Sequence, residues 1–315
     1  MSIGIALGNQ DYKQAGELIR DADIAMYRAK SQANNSYKFF DTEMHAQALR
    51  RLTIEADLRQ AINQQEFMVY YQPIMDMSRN QLVGFEALVR WHHPHRGLIS
   101  PQEFIPIAEE IGFIVDLDRW VLEQACQQIK YWRQTFPCAA ALKVGVNLSA
   151  QDLRTTTLLQ DVDNILQKTK LPGCALTLEI TESMLVTDID QTIHLLTQLA
   201  ARDIQISIDD FGTGYSSLNY LHRFPVNNLK IDQSFVSQMQ SENRNYRVVE
   251  TIITLSNQLG LTTVAEGIET EDQLAYLQQL GCQLGQGYLF SRPLPAKDIE
   301  ALFFQTSTFT DCQAS

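Results

Sequence analysis

From Phe67 onward, short apolar runs of strand length alternate with longer stretches whose apolar residues recur at helical spacing. The strand patterns fall at 67–72, 82–89, 143–148, 176–180, 205–209, 228–231, 263–265 and 287–290. Helical patterns lie between them, at 101–110, 117–134, 158–169, 189–201, 243–259 and 271–280. Eight strands with intervening helices over about 240 residues predict an α/β fold, a closed (β/α)8 barrel rather than an open sheet. A doubly wound sheet is the alternative, but no Gly-x-Gly-x-x-Gly follows the first strand. The connection 73–81 is too short for a crossover helix. The first two strands are therefore expected to form a hairpin, with one of them antiparallel to the rest.

In such a barrel the chemistry sits where strands end and the following loops begin. Seven strands carry a polar residue there in an otherwise apolar context: Glu86, Asn147, Glu179, Asp209 with Asp210, Lys230, Glu266 and Gln286. Taken alone, the strand end at Asp209-Asp210, followed by Phe211-Gly212-Thr213-Gly214, fits a divalent-cation site or a solvated turn with Asp as a cap. A single carboxylate in a strand is ordinarily an outward-facing surface residue, and a lone Lys230 would be a structural ion pair. The whole set is different, because a buried carboxylate costs several kcal/mol, roughly, unless it is paired or metal-bound. Five carboxylates, one or two carboxamides and one lysine converging in one mouth suggest two oxygen-ligated metals, with the lysine able to orient a water.

The composition restricts the partners. A formal net charge of -12 argues against a broad basic surface for a nucleic-acid polymer. A small anion is compatible with it if metals supply local positive charge. The five cysteines, Cys126, Cys138, Cys174, Cys282 and Cys312, form no Cys-x-x-Cys pair, so neither a zinc site nor a disulfide framework is indicated. No stretch approaches the roughly 20 apolar residues that span a bilayer, and the N-terminus has no signal-peptide pattern. No membrane contact is expected of this chain, and a cytoplasmic location is expected.

Ahead of the barrel, residues 2–7 and 37–40 read as strands around a helix at 15–31, a unit too small to fold alone. Ser2-Ile3-Gly4-Ile5-Ala6, the run from Ala22 to Lys30 and Asn34-Asn35-Ser36-Tyr37-Lys38 resemble the C-terminal end of GGDEF diguanylate cyclase domains. The Gly-Gly-Asp-Glu-Phe signature itself does not occur, so this resemblance implies a remnant without cyclase activity. Residues 42–63 hold no Gly or Pro, and Ile54, Leu58 and Ile62 repeat every four residues beside Leu49, Leu52 and Ala56, as in one amphipathic helix. The expected organisation is 1–41 remnant, 42–63 connecting helix and 64–315 barrel.

The barrel motifs, in order, are Glu86-Ala87-Leu88-Val89-Arg90, Asn147-Leu148-Ser149, Glu179-Ile180-Thr181-Glu182, the run from Asp209 to Ser217, Lys230-Ile231-Asp232, Ala265-Glu266-Gly267-Ile268-Glu269 and Gln286-Gly287-Tyr288. Together they resemble the EAL-domain cyclic di-GMP phosphodiesterases, over about residues 52–303. The resemblance implies a TIM-like barrel that hydrolyses cyclic di-GMP to linear 5′-pGpG with two divalent ions, Mg²⁺ or Mn²⁺. It makes Glu86, Asn147, Glu179 and Asp209 ligands of one metal, with Asp209 bridging to a second beside Asp210. It makes Lys230 the holder of the attacking water, Glu266 the general base, Arg90 a phosphate contact and Gln286 a residue positioning water or ligand. Glu182 and Glu269 would steady the loop 211–217, and a homodimer is compatible with the family. The rival expectation is a catalytically silent receptor that signals through the 42–63 helix.

Three other patterns carry less. His92-His93-Pro94-His95 matches no zinc spacing and is expected in a surface turn. Asp210-Phe211-Gly212 lacks the His-Arg-Asp loop and the Val-Ala-Ile-Lys strand of a kinase. Gly212-Thr213-Gly214 lacks the third glycine of a phosphate cradle.

Overall fold

The strands close on themselves. In this computed structural model, which describes residues 1–8, 12, 14–32, 36–186, 188–213, 221–239 and 244–304, the barrel runs through β3 (Phe67–Asp76), β4 (Gln81–His93), β6 (Lys143–Asn147), β7 (Leu176–Thr181), β8 (Gln205–Phe211), β9 (Asn228–Ile231), β10 (Thr262–Ala265) and β11 (Leu284–Gly285), and β11 pairs back onto β3. Short strands flank it, β5 (Gly97–Ile99) on β4 and β12 (Leu294–Pro295) on β3. Strand β4 and strands β6 to β11 are mutually parallel around the barrel, and β3 is antiparallel to both neighbours. The hairpin expected from the short 73–81 connection is thus present. Its turn is built by Asp76, whose Oδ1 accepts from the Ser78 and Arg79 amides at 2.9 and 3.1 Å, and by Asn80 at φ 51°.

The last strand differs from the sequence reading. Residues 284–285 pair with β10 and β3, whereas 287–290 form a turn. The backbone of Ile268 explains the difference: a Cβ on Gly287 would lie 2.1 Å from its carbonyl oxygen, and that oxygen accepts from Leu289 N at 2.9 Å. The chain therefore bends as soon as it leaves the barrel wall. His92 and His93 also differ, since both end strand β4 rather than lying in the turn, and His93 is buried. Asn34, Asn35, Asn243, Cys312 and residues 214–218 lie outside the described residues.

Helices follow the strands as expected. The longest, α4 (Ile114–Thr135), buries Leu117, Val121, Leu122, Ala125, Ile129 and Trp132 along one stripe. Trp132 is fully buried among Tyr71 and Phe85, with ring centroids 4.9 Å away in both cases, and Phe304 at 5.6 Å. Its indole N–H donates to Glu300 at 2.8 Å, so the polar handle of a buried ring is satisfied. Further helices are α5 (Leu158–Thr169), α6 (Ile189–Ala200), α7 (Gln233–Ser237), α8 (Arg244–Gln258) and α9 (Glu271–Gln279). The last opens with a reciprocal capping box between Thr270 and Gln273.

Contacts divide the chain into two units, Met1–Gln64 with Gln102–Ile111, and the remaining residues that carry the barrel. In the smaller unit, β1 (Ile3–Ile5) and β2 (Tyr37–Phe39) pair in parallel across α1 (Ala15–Gln32). Helix α2 (Thr42–Ala61) starts on an Asp41 cap whose Oδ1 accepts from Met44 N at 2.9 Å. Ile54, Leu58 and Ala61 are its buried stripe, whereas Leu49, Leu52 and Ala56 are exposed, so the apolar face is narrower than the sequence suggested. Glu110, the last residue of α3 (Pro101–Glu110), accepts from Arg51 and from Tyr27 Oη.

Replacing Trp132 with alanine removes the centre of the aromatic cluster and strands Glu300. Guanidinium unfolding should show a loss of about 3–5 kcal/mol, with Trp132→Phe losing clearly less.

Candidate active site

Side chains alternate across a strand, so residues two apart share the barrel interior. On β4 that places Gly84, Glu86 and Arg90 on one face, and the register sets Gln72 of β3 directly opposite Glu86. Parallel pairing aligns Asn147 with Glu179 and Thr181 with Asp209. The parallel strands among these end at the same rim, where the backbone hands over to loops.

At the centre stands Lys230, buried and only 1% exposed. Its Nζ lies 2.6 Å from Glu179 Oε2, 2.6 Å from Glu266 Oε1, 3.2 Å from Asp209 Oδ2 and 3.5 Å from Glu86 Oε2. Burial alone would favour the neutral amine, but the four carboxylates outweigh it and hold the lysine charged well above its usual range. One cation cannot neutralise four anions. Burial and mutual repulsion therefore push Glu179 well above the usual carboxylate range and raise Glu266 as well, despite the nearby ammonium. Glu86 resolves the other way. Burial opposes its charge, yet Lys230, Gln286 Nε2 at 2.6 Å and Asn147 Nδ2 at 2.8 Å stabilise the carboxylate, and its pKa is lowered.

The same crowding produces two groups of three carboxylates whose ligand atoms lie within 4.8 Å of one another: Glu86, Glu179 and Asp209, and Asp209, Asp210 and Glu266. They share Asp209. Asp210 sits at φ 53°, in the left-handed region, with its amide donating to Asp209 Oδ1 at 2.9 Å. Burial, then Asp209 and Asp232, push its pKa up to about 6. A hard-oxygen set with surplus negative charge and a shared central carboxylate fits a pair of divalent cations.

Neighbouring residues keep these groups in place. Gly145 faces Glu179, and a Cβ there would lie 2.1 Å from Glu179 Oε1. Glu182 opens a short 3-10 helix (Glu182–Val186) and accepts from the Gly212 amide at 2.8 Å, which ties the start of the loop after β8 to the barrel. Gly212 itself is at φ 98°. Glu269 is exposed, and its amide donates to Gln273 Oε1 at 2.7 Å. The part of that loop beyond residue 213 lies outside the described residues. Arg90 is half-buried, donates to Val89 O at 2.8 Å and packs 5.5 Å over the Tyr70 ring. The structure thus gathers Glu86, Asn147, Glu179, Asp209, Asp210, Lys230, Glu266 and Gln286 into one cluster, with Arg90 on the same face of β4 as Glu86, and leaves Glu269 at the surface.

Sequence reasoning passed over Gln72. It is buried, accepts from Gln286 Nε2 at 2.9 Å and donates to Ser291 O at 3.3 Å. The available signal was a lone carboxamide at the end of the apolar run Phe67-Met68-Val69-Tyr70-Tyr71.

Residues 55–293 match the model of the EAL domain. The chain is 43% identical over 300 residues to MucR of Pseudomonas aeruginosa, a bifunctional diguanylate cyclase/cyclic di-GMP phosphodiesterase, over 95% of this chain and 44% of that protein. It is 41% identical over 299 residues to the cyclic di-GMP phosphodiesterase NbdA of the same species, over 95% of this chain and 38% of that protein. The chain thus spans less than half the length of either relative. A solved structure of the PaMucR phosphodiesterase in complex with c-di-GMP superposes with a TM-score of 0.76 at 42% identity, covering 78% of this chain and 99% of that one. No helix among the described residues is long and apolar enough to cross a membrane. With the EAL domain model matched over residues 55–293 and a relative 43% identical over 95% of this chain's length, the chain belongs to the EAL domain family.

Proposed function

We propose that this chain is a metal-dependent phosphodiesterase that opens cyclic di-GMP to linear 5′-pGpG. The observation that carries the reading is the buried Lys230 surrounded by four carboxylates, which with Asp210 form two groups of three that share Asp209. Relatives named as cyclic di-GMP phosphodiesterases support the substrate.

In this reading Glu86, Asn147, Glu179 and Asp209 hold one divalent cation, Mg²⁺ or Mn²⁺. Asp209, shared by both carboxylate groups, and Asp210 would hold a second. Because Asn147 Nδ2 already donates to Glu86, its amide oxygen is the atom directed to a cation. Such ions polarise a phosphoryl oxygen and make bound water acidic near neutral pH. Lys230 has three N–H donors, taken here by Glu179, Glu266 and Asp209. With cations on those carboxylates, a Lys230 donor would be free to hold the attacking water. Glu266, bonded to Lys230 Nζ, is the base that would accept the proton of that water. Attack at phosphorus in line with the 3′-oxygen breaks the P–O3′ bond, and the departing oxygen is protonated from solvent. Arg90 meets the phosphate, and Gln286, fixed through Gln72 and Glu86, positions water or ligand. Glu182, which accepts from the Gly212 amide, steadies residues 211–213, and Glu269 is assigned to the same support. We read residues 1–41 as the tail of a GGDEF-like domain, which the parallel β1–β2 pair around α1 supports, and 42–63 as the connector. The charge pattern and the lack of a spanning helix among the described residues support a cytoplasmic protein.

Incubation with cyclic di-GMP and Mg²⁺ or Mn²⁺ should yield pGpG by chromatography, and chelation should stop it. Binding without turnover in either metal would reject the enzyme in favour of a receptor. Glu86→Ala should reduce kcat by about a thousandfold or more, because it removes a carboxylate from the cation-holding group; wild-type turnover in that variant would refute the assigned role. Gly145→Ala should leave the circular dichroism spectrum intact while lowering kcat by roughly a hundredfold, since the new methyl displaces Glu179.

A further inference from the structure

Parallel barrels normally fill their interior with layers of branched apolar side chains. This one does not. Beneath the carboxylate layer, toward the N-terminal ends of the parallel strands, the interior opens into a cavity of about 440 Å³. That volume lies within the range of about 300–1,000 Å³ typical of small-molecule sites. Its ceiling is the underside of Glu179 and Lys230, and its rim carries Lys143, Gln205 and Asn228, the first residues of β6, β8 and β9. The inward positions nearby are small, with Thr177 and Ser207 where a Leu or Ile is usual.

The lining is polar as well as apolar: Gln205, Asn228 and Thr262 line the cavity together with Leu82 and Leu284. At the rim, Lys143 Nζ donates to Gln205 Oε1 at 3.1 Å across β7, so a carboxamide is already oriented with its NH₂ end turned elsewhere.

Charge narrows the ligand class. Among the described residues the lining holds one carboxylate, Glu179, and that group is engaged by Lys230, so nothing is left to receive an ammonium group. Of the two lysines, Lys230 is saturated by carboxylates, which leaves only Lys143, itself bonded to Gln205, for an anion. What is offered instead is carboxamides and hydroxyls set between apolar walls such as Leu82 and Leu284. Carboxamides pair edge to edge with the donor and acceptor atoms of a heterocyclic base, and aliphatic walls cover its faces. We propose that the N-terminal side of the barrel is a second binding site, separate from the phosphodiesterase mouth, that takes a neutral heteroaromatic molecule of nucleobase to nucleoside size.

The test uses the whole chain with adenosine and guanosine as probes, titrated calorimetrically without metal or cyclic di-GMP. At least one of them is expected to bind below about 5 mM, with affinity falling about tenfold or more in Gln205→Leu and Asn228→Leu and unchanged in Glu86→Ala. No binding of either nucleoside up to that concentration overturns the proposal. So does loss in Glu86→Ala with retention in the floor variants, which would place the nucleoside in the mouth. Should a floor variant fail to fold, titration of wild type while following the methyl signals of Leu82 and Leu284 replaces it; both should shift, and unmoved signals overturn the site. Turnover of cyclic di-GMP is a separate assay, so a chain that hydrolyses without binding nucleosides, or binds them without hydrolysing, distinguishes the failure of one reading from the failure of the other.

Discussion

The arrangement depends on one ammonium group placed where water cannot reach it. A lysine buried to this degree survives only as a charge among charges, and the carboxylates around Lys230 survive only because of it. The balance is deliberately incomplete in its electrostatics: one positive charge faces four acids, and the excess is distributed as raised proton affinity on Glu179 and Glu266 while Glu86, which has the most hydrogen-bond donors, stays ionised. A site in this condition gains from any added positive charge. The surplus of negative charge and the tuning of the acids thus arise from a single packing fact.

Much of this was legible in the chain. Polar residues at the ends of apolar strands have few uses, and Glu86, Asn147, Glu179, Asp209, Lys230 and Glu266 could be placed in one mouth from alternation and the rule that parallel strands deliver their ends to one rim. The hairpin was legible for an equally simple reason, since nine connecting residues leave no room for a helix that returns the chain. Strand lengths were less accessible. β4 continues through His93 because β5 folds back onto it, a pairing that no local pattern announces.

What escaped the sequence was set by contacts distant along the chain. Gln72 reads as an ordinary strand-end carboxamide until the register places it opposite Glu86, and Gln286 reaches both from 200 residues away or more. The strand expected at 287–290 fails because the backbone of Ile268 occupies the space a continuing strand would need. A two-residue strand such as Leu284–Gly285 has no period to detect. Gly145 likewise gives no sign in sequence that its missing methyl is the space occupied by Glu179.

The inverted first strand has a topological outcome. In a barrel whose leading strand runs with the others, the polypeptide arrives on the side away from the catalytic rim. Here Phe67 pairs with Trp91 and Asp76 with Gln81, so β3 is entered from the rim and descends away from it. The junction between the barrel and everything upstream is spliced in beside the mouth, five residues from Gln72. The residue just ahead of this strand is already fixed to the rim, since Glu66 accepts from His92 N and from the Trp91 indole of β4, each at 2.8 Å.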